Sequence, residues 1–294
     1  MRGVVIINGY PTEKKFFTQG EKIQNALCAL GVETDLIQNG DVYACVQEDG
    51  GVRVELPKRY DFAVYLDKDK YLGYALERAG LRLFNCARSV ELCDDKASTY
   101  LALRGKGIRL AKMIPSPLCY NKTATVNERF LQKVADELGF PLVVKTSYGS
   151  FGAGVHLVHG LPELREVAQK LLHTPHFFQA YIESSKGRDI RVIVVGGKAL
   201  GGMERHAQEG EFRSNIELGG TGSAVELDER YIQTAEHVAN VLGLDYCGVD
   251  LLEGEDGPVL CEVNSNAFFE GFERATGIDV ADAYAKHIIN TVTR

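Results

Sequence analysis

Residues 249–266 read VDLLEGEDGPVLCEVNSN: an apolar run, a turn rich in Glu, Asp and Gly, and a second apolar run interrupted by Glu262 and Asn264. Carboxylates inside segments that otherwise read as buried strand need a reason, because an uncompensated buried charge is costly. If Glu255-Asp256-Gly257 is the turn of a hairpin centred near residue 256, Asp250 lies opposite Glu262 on one face. The period of two along a strand brings Asn264 to that face as well. Two carboxylates and an amide oxygen form a hard, incomplete oxygen shell, which suits Mg²⁺ that keeps waters and takes its remaining ligands from substrate phosphates. Facing carboxylates repel without a cation, so the pattern asks for a metal or a raised pKa. A register one residue off would instead send the two to opposite faces.

Upstream, residues 145–155 read KTSYGSFGAGV. Lys145 ends an apolar run, and Gly149, Gly152 and Gly154, with Ser150 among them, allow the backbone to wrap closely around an anion with its N–H groups exposed. A Walker A loop has its Lys after the glycines at a helix start, and a Rossmann fingerprint opens a helix; this loop does neither, running on into VHLV. Glycines followed by a strand suggest a hairpin lid over phosphates. The plainer alternative is a glycine-rich hairpin with Lys145 at a strand end.

A third group lies in residues 187–215, GRDIRVIVVGGKALGGMERHAQEGEFRSN. Asp189 and Arg191 are two apart, so they share a strand face; Glu204, Arg205, Arg213 and Asn215 follow on the return. Arginines beside a metal and phosphates would stabilise charge on transferred phosphoryl oxygens. Taken singly, each is more often a solvated surface charge.

The rest of the chain sets bounds. A net charge of −7 with no Lys/Arg block argues against nucleic acid. The seven cysteines are scattered without C-x-x-C spacing, which disfavours a disulfide framework or a zinc site. No apolar run approaches the ~20 residues of a membrane span, and MRGVVIINGY leads directly into a strand, so no membrane association and a cytoplasmic location are expected.

Short apolar stretches alternate with amphipathic ones, which is an α/β signature. Strands are expected at 4–7 and 62–66, and helices at 68–79, 94–103, 162–172, 228–242 and 280–291. Pro115 and Pro117 suggest a linker, Thr125-x-x-Glu128 a capping box opening a helix to 138, and Gly196-Gly197 a hairpin turn. The expected organisation is an open α/β lobe over 1–92, a lobe with the glycine loop over 93–183, and a lobe with the metal face over 184–294.

DDK (94–96), PLVVK (141–145), GSFGAGV (149–155), FQAYI (178–182), GRDIRVIVVGGKALGGMER (187–205), EFRSN (211–215), GVDLLE (248–253) and GPVLCEVN (257–264) stand in an order that resembles the ATP-grasp superfamily. Within it the sequence is most similar to the branch of amino-acid ligases that modify ribosomal protein S6, the RimK-like branch, over roughly residues 85–290. The resemblance implies an ATP-grasp fold: the first lobe plus two α+β lobes that clamp ATP. It also implies an ADP-forming reaction in which a carboxylate is phosphorylated and an amine attacks the acyl phosphate.

By the same resemblance Lys96 and Lys145 contact ATP phosphates under the loop of Gly149, Ser150, Gly152 and Gly154, while Gln179, Ala180 and Tyr181 line the adenine site. Asp189 sits near the ribose with Arg191 beside it, and Arg213 and Asn215, with Arg205, act at the phosphates or acyl phosphate. Asp250, Glu262 and Asn264 hold magnesium, with two ions expected and Mn²⁺ as a substitute. Glutamate is the amino acid expected from the branch; the acceptor is a small-molecule, peptide or cofactor carboxylate, and the oligomeric state, a homo-oligomer included, stays open. Relatives carry a small residue, Ser, Pro and Gly after the metal-binding Asn. This chain has Ser265, Asn266, Ala267, Phe268 and Phe269 there, which points to a different acceptor. A phosphotransferase acting on a hydroxyl, or a nucleotide-binding module without catalysis, are the alternatives.

Overall fold

The run VVII near the start is buried end to end because the strand that carries it, β1 (Arg2–Ile7), lies inside a parallel sheet covered on both faces. The structure, a computed structural model, describes residues 1–150, 152–214 and 219–293. After β1 come α1 (Lys14–Ala29), β2 (Glu33–Gln38), the β3 (Tyr43–Val46) and β4 (Val52–Glu55) hairpin, β5 (Phe62–Leu66), α2 (Lys70–Arg78) and β6 (Arg82–Phe84). The sheet order is β2-β1-β5-β6. Val5, Ile7, Phe62 and Val64 pack against Ile23 and Leu27 of α1; Val4, Ile6, Ala63 and Tyr65 pack against Leu72 and Leu76 of α2.

The helix expected over 94–103 is α4 (Lys96–Leu103), and α3 (Ala87–Asp94), which was not expected, runs up to it, so that 87–103 is almost one helix. Asp95 breaks it: its backbone is extended, and its carboxylate accepts from Ala97 N and Ser98 N, capping α4.

The middle sheet has the order β7-β10-β8-β9. It is built from β7 (Met113–Pro115), β8 (Leu142–Thr146), β9 (Val155–Val158) and β10 (His176–Ala180), with α5 (Glu128–Leu138) and α6 (Leu161–Lys170) on one face. Two expectations are corrected here. Pro115 is no linker residue; it ends an edge strand opposite Phe177, where a missing N–H is tolerated. The cap of α5 is Asn127, which accepts from Phe130 N, and Glu128 is already helical, so Thr125 opens nothing.

The last sheet is antiparallel, in the order β13-β12-β11-β14-β15. Its strands are β11 (Arg188–Val195), β12 (Lys198–His206), β13 (Thr221–Val225), β14 (Tyr246–Gly254) and β15 (Gly257–Asn264). Gly196 and Gly197 turn β11 into β12 with φ of 58° and 75°, the left-handed pair that a two-residue hairpin turn requires. Three helices complete it, α7 (Glu229–Leu242), α8 (Glu270–Thr276) and α9 (Val280–Val292). Ala235, Val238 and Leu242 of α7 cover Val192, Val194, Val249 and Leu251. On the opposite face Ile193, Val195 and Tyr246 join Phe269, Phe272, Tyr284 and Ile288 in one core with Val5, Ile7 and Phe62 of the first sheet. First and last sheets are therefore fused through apolar packing, and the middle sheet, with its own core, stands across a cleft from them.

Candidate active site

The β14–β15 hairpin turns tightly at Glu255-Asp256, with Gly254 opposite Gly257 and Leu251 opposite Leu260. Continued without interruption, this register would set Asp250 against Cys261. A bulge at that point leaves Cys261 as the extra residue, and the ladder resumes with Asp250 opposite Glu262 and Gly248 opposite Asn264. The expected pairing thus forms by a different route: a shorter turn corrected by a bulge.

The cations that reconcile these carboxylates are arginines. Arg191 Nε and Nη2 donate to Asp250 Oδ1 and Oδ2 at 2.7 Å each, across the β11–β14 ladder. Arg205 donates to both Asp189 oxygens at 2.6 Å and reaches Asp250 Oδ2 at 2.9 Å. Asn264 Nδ2 lies 3.4 Å from Asp250 Oδ2. Asp189, Asp250, Arg191 and Arg205 form a neutral buried square in which every charge has an opposite neighbour. Burial alone would push the Asp250 pKa up; the two guanidiniums outweigh it and hold the carboxyl below its ordinary range. Of the two expected alternatives, the raised pKa is corrected for Asp250: its charge is compensated by the neighbouring guanidiniums.

Glu262 pairs with Lys96, Oε1 to Nζ 3.2 Å. Lys96 Nζ also donates to Gly149 O at 2.6 Å, and its backbone N–H donates to Ser147 O. The neighbours of Lys96 serve the same loop. Asp95 Oδ2 accepts from Tyr148 Oη at 3.4 Å, and Asp94 pairs with Lys68, which donates to Ser150 Oγ at 3.2 Å. From the opposite side Arg213 Nη1 donates to Gly152 O at 2.8 Å while its remaining nitrogens grip Glu211. The DDK corner and Arg213 thus hold the glycine loop over the cleft.

Under that loop lies a cavity of about 110 Å³. Lys96, Lys145, Gly149, Ser150, Gly152, Gln179, Ala180, Tyr181, Asp189, Arg205, Arg213, Asp250 and Glu262 all line it, so most of the residues singled out in the sequence converge. Leu252, Val143 and Ile182 give it an apolar end. Among the described residues the one partner of Lys145 Nζ is the Cys261 sulfur, 3.8 Å away. A cation facing a cavity without a carboxylate is a ready anion site. Burial raises the Cys261 pKa, partly offset by Lys145.

Some residues stand otherwise than expected. Gly154 faces away from the cavity, and a Cβ there would collide with Thr146. Gln179 and Ala180 do line the cavity, but one Gln179 Nε2 donor goes to Tyr100 Oη at 2.6 Å and the Ala180 N–H donates to Lys112 O. Tyr181 Oη is buried in the cavity wall without a hydrogen-bond partner among the described residues. Arg191 and Asn264 face a second cavity instead. Asn215 lies outside the described residues.

That second cavity, about 250 Å³, opens between the first and last sheets. Asn8, Phe16, Gln19 and Lys68 line it from the first lobe; Arg191, Arg205, Glu262, Asn264, Asn266 and Phe268 line it from the last. The unusual 266–269 segment divides by side. Ala267 and Phe269 are buried in the fused core, whereas Phe268 packs edge-on against Phe16 at 5.1 Å, and Asn266 Nδ2 donates to Asp67 O. Sequence reasoning had no signal for Lys68 or Gln19, whose roles depend on the packing of one lobe against another. The two cavities meet at Ser150, Arg205 and Glu262, which line both.

A family model described as the RimK-like ATP-grasp domain matches residues 93–289. The chain belongs to the RimK-like ATP-grasp family. Among its relatives, β-citrylglutamate synthase B of Danio rerio is 37% identical over 229 residues, covering 77% of this chain and 55% of that protein. N-acetylaspartylglutamate synthase A of Homo sapiens is 36% identical over 243 residues, covering 81% and 59%. The chain therefore spans a little over half the length of these curated relatives. In fold, a D-alanine–D-alanine ligase from Bacillus anthracis solved with ATP superposes with a TM-score of 0.72 at 23% identity, covering 100% of this chain and 98% of that one. For a RimK-like ATP-grasp chain, the lining fits a nucleotide and its magnesium. Lys145 and the loop would face the phosphates, and Glu262 and Asn264 would offer oxygens beside an Asp250 already organised by arginine. No helix among the described residues is long and apolar enough to cross a membrane.

Proposed function

We propose that this chain is an ATP-dependent, ADP-forming ligase that joins an amino acid, glutamate by likeness to its relatives, to an acceptor carboxylate through an acyl phosphate. The observation that carries the reading is that two cavities, one under the glycine loop and one between the outer lobes, meet at Glu262 and Arg205. A phosphoryl group presented from the first and a carboxylate from the second would come together there.

Lys96, Lys145 and the loop amides bind and orient the nucleotide phosphates in this reading, and the apolar end of the first cavity takes the base. Asp250, Glu262 and Asn264 would hold magnesium, two ions in the fullest form, with Mn²⁺ able to substitute, and the bound ion would supply neutralisation of phosphate charge. The acceptor oxygen takes the terminal phosphoryl group of ATP, leaving ADP. The amine nitrogen then bonds to the acyl carbon and the C–O bond to phosphate breaks, releasing inorganic phosphate and a proton. Arg205 and Arg213 stabilise the anionic oxygens. The loop keeps water out, because an acyl phosphate open to solvent hydrolyses. The names of the relatives support a small carboxylic acid as acceptor, and a cavity of about 250 Å³ accommodates one. Dependence on ATP is consistent with a cytoplasmic site of action.

The test incubates the protein with Mg-ATP, L-glutamate and either citrate or N-acetylaspartate. Formation of ADP, phosphate and a product heavier by one glutamate residue supports the reading. A phosphorylated product without inorganic phosphate would replace it with a phosphotransferase, and binding of ATP without turnover would replace it with a silent module.

A further inference from the structure

Lys68 stands where the second cavity touches the glycine loop. It follows the C-terminal end of β5, one residue past Asp67, whose carboxylate is consumed by Asn8, Asn39 and the N–H of Lys68 itself, so the backbone there is pinned. From that fixed base the ammonium makes an ion pair with Asp94 at 2.8 Å and donates to Ser150 Oγ at 3.2 Å. A lysine has three N–H donors. The third has no partner among the described residues, and Lys68 lines the second cavity together with Ser150. Of the lysines and arginines that line this cavity, Arg191 and Arg205 are each locked in a bidentate pair with one carboxylate, whereas Lys68 is the one hydrogen-bonded to the glycine loop, through Ser150.

We propose that Lys68 is a shared donor of the acceptor cavity and the glycine loop, through which a bound acceptor carboxylate favours the closed loop. The inference rests on the ligase reading. Asp94 aims the side chain, the acceptor takes the open donor, and the same ammonium grips Ser150, so ordering it for one partner orders it for the other. By linkage the effect runs both ways: a closed loop tightens acceptor binding, and a bound acceptor holds the loop closed. The chemical consequence is coupling of ATP use to amide formation. With the loop closed the acyl phosphate meets only the amine. With it ajar, water attacks the acyl carbon, returning the free acceptor and phosphate with ATP consumed and no amide made.

The variants are Lys68→Met, Lys68→Arg and Ser150→Ala, each assayed for ADP and amide together. For Lys68→Met the expected result is an acceptor KM raised about tenfold or more, as for loss of one hydrogen bond to a charge, with the ATP KM within about twofold. Amide formed per ADP should fall. Lys68→Arg restores most of the coupling, and Ser150→Ala lowers the amide-to-ADP ratio with a smaller change in acceptor KM. Acceptor KM and coupling within about twofold of the parent, or equal loss for ATP and acceptor, would overturn the proposal. A second readout needs no turnover: hydrogen exchange across 147–154 with Mg and a non-hydrolysable ATP analogue, with and without citrate or N-acetylaspartate. Added slowing by one of these acids in the parent but not in Lys68→Met supports the coupling, and its absence in the parent overturns it. If the parent makes no amide while the acid still slows exchange, the ligase reading fails and the coupling stands.

Discussion

Arg191 grips Asp250 through two parallel hydrogen bonds of 2.7 Å, one to each carboxylate oxygen, across the β11–β14 ladder. A bidentate pair of this kind fixes the carboxylate plane and leaves few lone pairs free. Arg205 takes a third contact, at 2.9 Å. Asp250 is therefore first a structural counter-ion, and in the proposed metal site Glu262, with one ion pair to Lys96 and a more exposed side chain, is the more available oxygen donor.

The two carboxylates should accordingly separate under mutation. Asp250→Asn leaves two buried guanidiniums against Asp189 alone, and removal of one partner from a buried ion cluster costs about 3–5 kcal/mol. Glu262→Gln breaks only a single ion pair at the rim of the cavities, with side chains 12% and 27% exposed, worth about 1 kcal/mol, while removing the proposed metal oxygen shared by both cavities. Denaturant titration should show a large loss for Asp250→Asn and a small one for Glu262→Gln, with ligation abolished in both. Equal stability losses would contradict the assignment of Asp250 to the arginine square.

Gly152 sits at φ 73°, and its carbonyl accepts from Arg213 at 2.8 Å. Proline fixes φ near −65°, so Gly152→Pro cannot keep this turn or aim that carbonyl at Arg213. The loop connects β8 and β9 at the cleft, away from the core that α5 and α6 form with the middle sheet. Ligation should drop by about 100-fold while thermal unfolding moves little. A fully active variant would sink the role given to the loop.

Glu211 offers a pH test of the same latch. Hydrogen bonds from Arg213, together with the N–H groups of Arg213 and Phe212, hold its pKa down from 4.5 to about 2. Because the folded value lies below the unfolded one, the stabilisation is complete above about pH 4.5 and is lost as pH falls toward 2. Solvent screening at this partly exposed site limits it to about 1 kcal/mol. Comparing the protein with Glu211→Gln by denaturant unfolding at pH 7, 4.5 and 3 should show a difference that narrows with acidification. A difference that widens would mean Glu211 is destabilising in the folded chain.

What the sequence revealed follows from range. The pairing of Asp250 with Glu262 and the convergence of Lys96, Lys145 and the glycines were legible because strand periodicity and ordered motifs are local signals. The cations that neutralise Asp250 were not, since Arg191 and Arg205 reach it only through the non-local register of β11 against β12 and β14. The bulge at Cys261 escaped for the opposite reason: a turn one residue shorter and one extra residue later give the same pair. The 266–269 segment read as a uniform departure, yet Phe269 is core, Asn266 and Phe268 face the second cavity, and the buried Ala267 belongs to the core and also lines that cavity. Fused packing of the first and last sheets decides which is which, and no window of sequence contains it.

The extra residue of the bulge supplies the last test. Cys261 points into the cavity under the glycine loop with Lys145 Nζ 3.8 Å from its sulfur, and burial keeps its thiol protonated beyond the ordinary range. Iodoacetamide reacts with thiolate, so Cys261 should label slowly at pH 7 and faster as pH rises, behind exposed Cys28. A nucleotide in that cavity would screen the sulfur directly and draw Lys145 to phosphate. Saturating Mg-ATP should therefore slow Cys261 labelling about tenfold or more, measured by peptide mass mapping, and leave Cys28 unchanged. Citrate alone, directed to the other cavity, should give much less protection. Labelling of Cys261 indifferent to Mg-ATP would remove the nucleotide from this cavity and with it the meeting of the two substrates at Glu262.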